Sequence, residues 1–167
     1  MTAEGWVNKA NALWVNGKCT DSKKSIEYLN NAIKLEPNYA KAYFRRGYAY
    51  INLSNYNQAI QDYDKVIELD PLEVAAYYNR GLTYHKLGHY KRAIEDYNEA
   101  IRRKLDFAAA YNNRGLAYFS QGNNKLGCQD AQKACELGDC QLLEIAKGNG
   151  DCPYSSPAPP PAPAPAP

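Results

Sequence analysis

AYFRRGYAYINLSNYNQAIQDYDKVIELDP, residues 42–71, is answered by AYYNRGLTYHKLGHYKRAIEDYNEAIRRKL, residues 76–105, at a spacing of 34 residues. A third copy, AYNNRGLAYFSQGNNKLGCQDAQKACELG, fills residues 110–138. Self-similarity at this period marks a solenoid, in which each unit cannot bury its apolar face alone and must stack on its neighbours.

With units counted from Ala40, Val74 and Ala108, the fourth column holds Tyr43, Tyr77 and Tyr111, the eighth Gly47, Gly81 and Gly115, and the eleventh Tyr50, Tyr84 and Tyr118. Ala59 and Ala93, then Tyr63 and Tyr97, then Val66, Ala100 and Ala134 follow in register, and Pro71 closes the first of these units. Small residues stand where two helices approach closely, and aromatics fill the gaps between them. This order of aromatic, Gly, Tyr, Ala, aromatic, Ala and Pro resembles the tetratricopeptide repeat family, including its bacterial-type members. One period further back, from Trp6, a degenerate unit keeps Ala32 and Pro37 but has Leu13 in the Gly column.

The resemblance implies an all-α, right-handed α-solenoid of four helix-turn-helix units plus a short C-terminal capping helix. The organisation reads as a first unit with the N-terminal segment (1–39), units at 40–73, 74–107 and 108–141, a capping helix at 142–152 and a tail at 153–167. Helices are predicted at 4–15, 22–35, 40–53, 56–69, 74–87, 90–103, 108–121 and 124–137, with breaks at the turn formers between them. Asp21 or Ser22 is expected to cap the second helix. A last helix over 141–147 would cover the open face of the final unit with Leu142, Leu143, Ile145 and Ala146. No strands are expected.

A net charge of +2, with both signs interspersed, gives no basic stripe for nucleic acid. No apolar run reaches the ~20 residues of a membrane helix, and Met1 to Gly5 does not read as a signal sequence. His85 and His89 lack the glutamate of a zinc-hydrolase helix, and neither a phosphate loop nor a haem-attachment motif occurs. No enzymatic activity, cofactor or metal is expected.

Four of the five cysteines cluster toward the C-terminus. Cys128 and Cys135 share a helix face but stand roughly 10 Å apart along the axis, beyond disulfide reach. If the capping helix packs antiparallel on the last repeat helix, the near ends bring Cys135 to Cys140 and the far ends bring Cys128 to Cys152. Such bridges would imply a periplasmic or extracellular location. The alternative is four buried thiols in a reducing cytoplasm. Cys19 is left over and is read as free. After Cys152 the composition turns to PYSSPAPPPAPAPAP, expected as polyproline II and serving as a linker or itself as a ligand.

In the family that the repeats resemble, the first helix of each unit lines a concave groove. The sixth column here holds Asn11, Arg45, Asn79 and Asn113, similar to the asparagine ladder of the O-linked N-acetylglucosamine transferase superhelix, with Arg45 interrupting it. Carboxamides both donate to and accept from an extended backbone, and Arg45 would favour an acidic group. Neighbouring columns add Phe44, Tyr78 and Asn112, then Trp14, Tyr48, Leu82 and Leu116, then His85 and Phe119. Aromatic platforms beside amides suit an extended or Pro-rich peptide, or the tail of another copy. Carboxylate-clamp members of the family carry Lys and Asn where this chain has Ala10 and Trp14, so their chaperone partner is not implied. Arg46, Arg80 and Arg114, one column on, are expected to pair with Asp62, Asp96 and Asp130 as scaffold.

The reading is therefore a non-catalytic interaction scaffold for an extended peptide. The alternative is a structural subunit that stacks end to end into a filament.

Overall fold

A computed structural model describes residues 1–15 and 18–152. The helices are α1 (Ala3–Asn11), α2 (Ser22–Leu35), α3 (Ala40–Asn52), α4 (Tyr56–Leu69), α5 (Val74–Lys86), α6 (Tyr90–Arg103), α7 (Ala108–Ser120), α8 (Asn124–Glu136) and α9 (Gln141–Gly148). They pair as hairpins α1/α2, α3/α4, α5/α6 and α7/α8, and each second helix packs on the first helix of the next unit. α1 also touches α3, α5 touches α7 and α7 touches α9, so at these steps the first helices of successive units lie side by side. This is the all-α solenoid that the 34-residue period implies.

Close packing follows from side-chain size. Ala42, Ala49, Ala59, Ala76, Ala93 and Ala100 are wholly buried, and between them sit the rings of Tyr63 and Tyr97. At Gly81 a Cβ would come within 2.9 Å of the Tyr97 ring and 3.2 Å of Asp96 Cβ. Only a bare backbone lets α5 approach α6 so closely.

The repeated tyrosines and arginines are one device. The Arg46 guanidinium lies 5.3 Å from the Tyr43 ring and 5.9 Å from the Tyr50 ring, and Arg114 lies similarly between Tyr111 and Tyr118. Arg46 donates to both carboxylate oxygens of Asp62 at 2.9 and 2.7 Å, and Arg114 does so to Asp130 at 2.7 Å each. Their remaining Nη1 reaches back to the preceding unit, to Asn30 and Asn98, at 2.6 Å. The hydroxyl of Tyr43 donates to the carbonyl of Pro37 at 2.9 Å, and Tyr77 does so to Pro71 at 3.3 Å, tying each first helix to the turn before it.

Two expectations for the first unit change. α1 stops at Asn11, four residues short, and Trp14–Val15 (β1) pairs antiparallel with Lys18–Cys19 (β2). The sequence between these two-residue strands is Asn16-Gly17, a strong hairpin signal flanked here by Trp and Val. Thr20 closes the hairpin, its backbone nitrogen and hydroxyl both donating to the Leu13 carbonyl at 2.8 and 2.9 Å. Asp21 then caps α2 by accepting from the Lys24 nitrogen at 2.9 Å.

At the other end, α9 folds over the open face of α7 and α8. Leu142, Leu143 and Ala146 are buried with Ala131 and Cys152, but Ile145 is 53% exposed and does not cover that face. The helix turns its fourth apolar residue the other way because Leu142 and Ala146, four apart, already fill the buried stripe. Cys128 pairs with Cys152 and Cys135 with Cys140, at Cα separations of 5.5 and 3.9 Å, while Cys19 is free. The Pro/Ala-rich segment read as polyproline II lies outside the described residues.

Candidate peptide-binding groove

All the groove residues singled out in the sequence except Trp14, which lies on β1, are on the first helices, and five of them line two open depressions: Phe44 and Arg45 at one, Asn112, Asn113 and Leu116 at the other. At the first, Phe44 and Arg45 join Lys41, Val66, Asp70, Glu73 and Ala75 around about 380 Å³. Lys41 is exposed and Arg45 half-buried, and neither makes a hydrogen bond or ion pair with another described residue. Two acids share the depression, and each accepts one backbone N–H: Asp70 from the Leu72 nitrogen and Glu73 from the Ala75 nitrogen, both at 3.0 Å. Two cations one helical turn apart thus stand beside a phenyl ring and form no ion pair with the two acids that share the depression.

The second depression, about 350 Å³, is lined by Asn112, Asn113, Leu116, Gln141, Leu142 and Ile145. Leu116 is 41% exposed, and the Gln141 carboxamide has no partner among the described residues. Asn112 donates through Nδ2 to Asp139, while its Oδ1 finds no partner. The capping helix therefore does more than cover the last unit, since it carries the inner wall one helix further. Sequence reasoning passed over Lys41, Gln141 and Ile145. Lys41 was recoverable because it sits four residues before Arg45, and α9 occupies the place of a further first helix.

Between the depressions the amide ladder is used in part internally. Asn79 is buried and donates to the Ala75 carbonyl of its own helix at 2.7 Å, a back-bond typical of a polar side chain in a helix. Asn113 donates to the Ala109 carbonyl at 2.8 Å and to the Tyr78 hydroxyl at 2.9 Å. Their Oδ1 atoms accept nothing among the described residues and are not among its sealed orphans. The two rungs thus present acceptors, suited to the N–H groups of an extended chain.

The aromatics divide between surface and packing. Tyr48 is 38% exposed and meets Trp14 edge-on at 5.3 Å, the hairpin having brought Trp14 onto α3. Tyr78 is half-buried, 4.7 Å from the Phe107 ring, and burial raises its phenol above the usual value. Phe44 packs edge-on against Tyr63. Leu82 joins the cluster of Ala93, Ile94 and Tyr97. His85 faces the Tyr90 ring at 5.2 Å, and Phe119 lies against Gly127 and the Ala131 cluster, so both serve the hairpin interior. Asn11 ends α1 with its Oδ1 unpartnered, as is Nε1 of Trp14. Among the described residues no group of three or more His, Cys, Asp or Glu could hold a metal ion, and no helix is long and apolar enough to cross a membrane.

Stacked hairpins with an inner wall of amides, rings and free cations define a class, the helical-repeat proteins that present a concave surface. Models described as TPR repeat match residues 47–88 and 83–122, and models described as tetratricopeptide repeat match 28–61 and 108–137. The chain belongs to the tetratricopeptide repeat family. Among solved structures it is similar to MamA, at 27% identity and TM-score 0.75 over 88% of this chain and 81% of that one. MamA 41-end from Desulfovibrio magneticus RS-1 aligns at 25% identity and TM-score 0.78, over 89% of this chain and 86% of that one. The first TPR of Spaghetti (RPAP3), bound to the HSP90 peptide SRMEEVD, shares the fold at 24% identity and TM-score 0.63, over 66% of this chain and 90% of that one. DnaJ homolog subfamily C member 7 of Homo sapiens is 40% identical over 50 residues, 30% of this chain. The chain spans about 10% of the length of that curated relative and of its Mus musculus counterpart.

Proposed function

We propose that this chain is a non-catalytic interaction scaffold that holds an extended peptide segment of another protein along its inner wall. The observation that carries the reading is the pair Lys41 and Arg45, two cations in an open depression against Phe44 that form no ion pair with another described residue. A half-buried guanidinium has already lost part of its hydration, and a carboxylate in bidentate geometry would restore it. The free acceptors of Asn79 and Asn113 would then hold backbone N–H groups further along. An acid-bearing peptide is the ligand class that fits.

The test is selection of a random phage-displayed peptide library on the full chain. Acid-rich, extended sequences should emerge, and Arg45→Glu should weaken the selected peptides at least tenfold, which is about 1.4 kcal/mol. Unaltered binding by Arg45→Glu together with Lys41→Glu would overturn the reading. End-to-end stacking is less well supported, because α9 lies over the face that the first unit of a following copy would occupy. The two cysteine pairs favour an oxidising compartment, periplasmic or extracellular.

A further inference from the structure

The second depression and the chain that follows Cys152 match each other in chemistry, reach and charge. We infer that Pro157–Pro167 docks in cis into the depression formed by Leu116, Ile145, Gln141 and Asn112, occupying the cap end of the groove. This inference rests on the groove reading above and assigns one end of it.

The first argument is the exposed surface. Ile145 sits on the one helix whose other long apolar residues are buried, and it faces Leu116 across an open depression instead of entering the core. Two exposed branched side chains flanking a slot suit pyrrolidine rings, which carry apolar surface at low conformational cost. The second is hydrogen bonding. A segment in which most residues are proline is rich in carbonyl acceptors and poor in N–H donors. Asn79 and Asn113 offer it mainly acceptors, whereas the free carboxamide of Gln141 can donate. The cap end therefore suits this segment better than the middle of the groove.

Charge points the same way. Residues 153–167 contain no Asp, Glu, Lys, Arg or His, so Lys41 and Arg45 gain no ion pair from their side chains. The tail would take the uncharged end and leave the cationic end open to an acidic partner. Reach is sufficient. Cys152 is anchored to Cys128 and its nitrogen donates to the Ala146 carbonyl at 3.2 Å, so the tail departs from the C-terminal end of α9. An eight-residue helix is about 12 Å long. Four residues, Pro153–Ser156, are available to reverse direction. Eleven further residues would span about 34 Å as polyproline II at ~3.1 Å per residue. Tethering also raises the local concentration of the segment to about the millimolar range, which makes the chain's own tail a stronger competitor than a free peptide of equal affinity.

The experiment compares amide resonances of the full chain with those of a chain whose residues 157–167 are replaced by Gly/Ser of equal length. Leu116, Gln141 and Ile145 should shift between the two, by an amount that does not change on dilution. Ile145→Asp, a surface change, should move the full chain toward the replaced one. A synthetic peptide of residues 157–167 should restore the shifts in the replaced chain and bind the intact chain about tenfold more weakly. Superimposable spectra, with no response to millimolar peptide, would overturn the inference. Shifts that vanish on dilution would assign the tail to a second copy and overturn docking in cis. Retained binding of an acid-rich peptide at Arg45 in either case shows that the scaffold reading stands separately.

Discussion

Arg80 grips Asp96 with two parallel bonds, Nε to Oδ2 at 2.9 Å and Nη2 to Oδ1 at 2.6 Å, while its third nitrogen holds Asp64 of the preceding unit at 2.6 Å. One side chain on α5 thus fastens α6 and α4 to each other. Asp96 is almost entirely buried, so it cannot exchange its partner for water. Asp96→Ala should lower the unfolding free energy by about 3 kcal/mol, read from the urea midpoint, because it strands a half-buried guanidinium. Replacing both partners together, Arg80→Met with Asp96→Leu, should recover most of that loss. Equal losses in the single and double variants would contradict the account.

Ser54 occupies the turn position that Gly88 and Gly122 hold in the later units, and its φ is 58°, against 76° and 74°. A left-handed backbone costs a side-chain-bearing residue roughly 1–2 kcal/mol. Ser54→Gly should therefore raise the melting temperature. Gly81→Ala should act in the opposite sense, by about 1–3 kcal/mol, since the added methyl enters the Tyr97 ring.

Burial, and secondarily Lys86, holds the His85 imidazole below its ordinary value of 6.5. The unfolded chain consequently takes up a proton that the folded one refuses as pH drops below about 6.5, so stability is greater above that pH and declines beneath it. His85→Phe should show a smaller fall in stability between about pH 7 and 5 than the parent chain. Parallel curves for the two proteins would remove His85 as a contributor.

Cys128 and Cys152 close a loop of 24 residues. The chain-entropy relation gives about 3.4 kcal/mol for such a bridge, and about 2 kcal/mol for the five-residue separation of Cys135 and Cys140. Dithiothreitol should lower the unfolding midpoint and speed amide exchange in α9 ahead of α5 and α6. Alkylation without reductant, followed by mass spectrometry, should label Cys19 alone; labelling of all five cysteines would remove the bridges.

The repeat columns made helix limits legible to within a residue or two from Ala40 to Leu137, because backbone period, small residues and turn formers agree there. The paired arginines and aspartates were legible for the same reason. The first unit was not, since Asn16-Gly17 competes locally with helix continuation and the column pattern had already decayed at Leu13. Within the groove, column position indicated which way a residue faces but not what it already bonds. Asn79 and Asn113 turn donors onto their own helices, and His85 and Phe119 are drawn into the hairpin by Tyr90 and Gly127 just across the turn. Ile145 escaped because an apolar helix over an open face invites the assumption that all its apolar residues point inward.

The arginine that links neighbouring hairpins has no counterpart in the opening unit, where that column is Ala12. Its α1 and α2 are joined by packing, by the β1/β2 hairpin and by Lys9 over the Tyr28 ring, while the far end is cross-linked twice. In a linear array whose stability sums over nearest neighbours, such unequal ends give thermal opening a direction. Fraying would start at the amino end and advance toward the carboxyl end, so Trp14 and Tyr48 would loosen first, while the region around Leu116 keeps its shape longest.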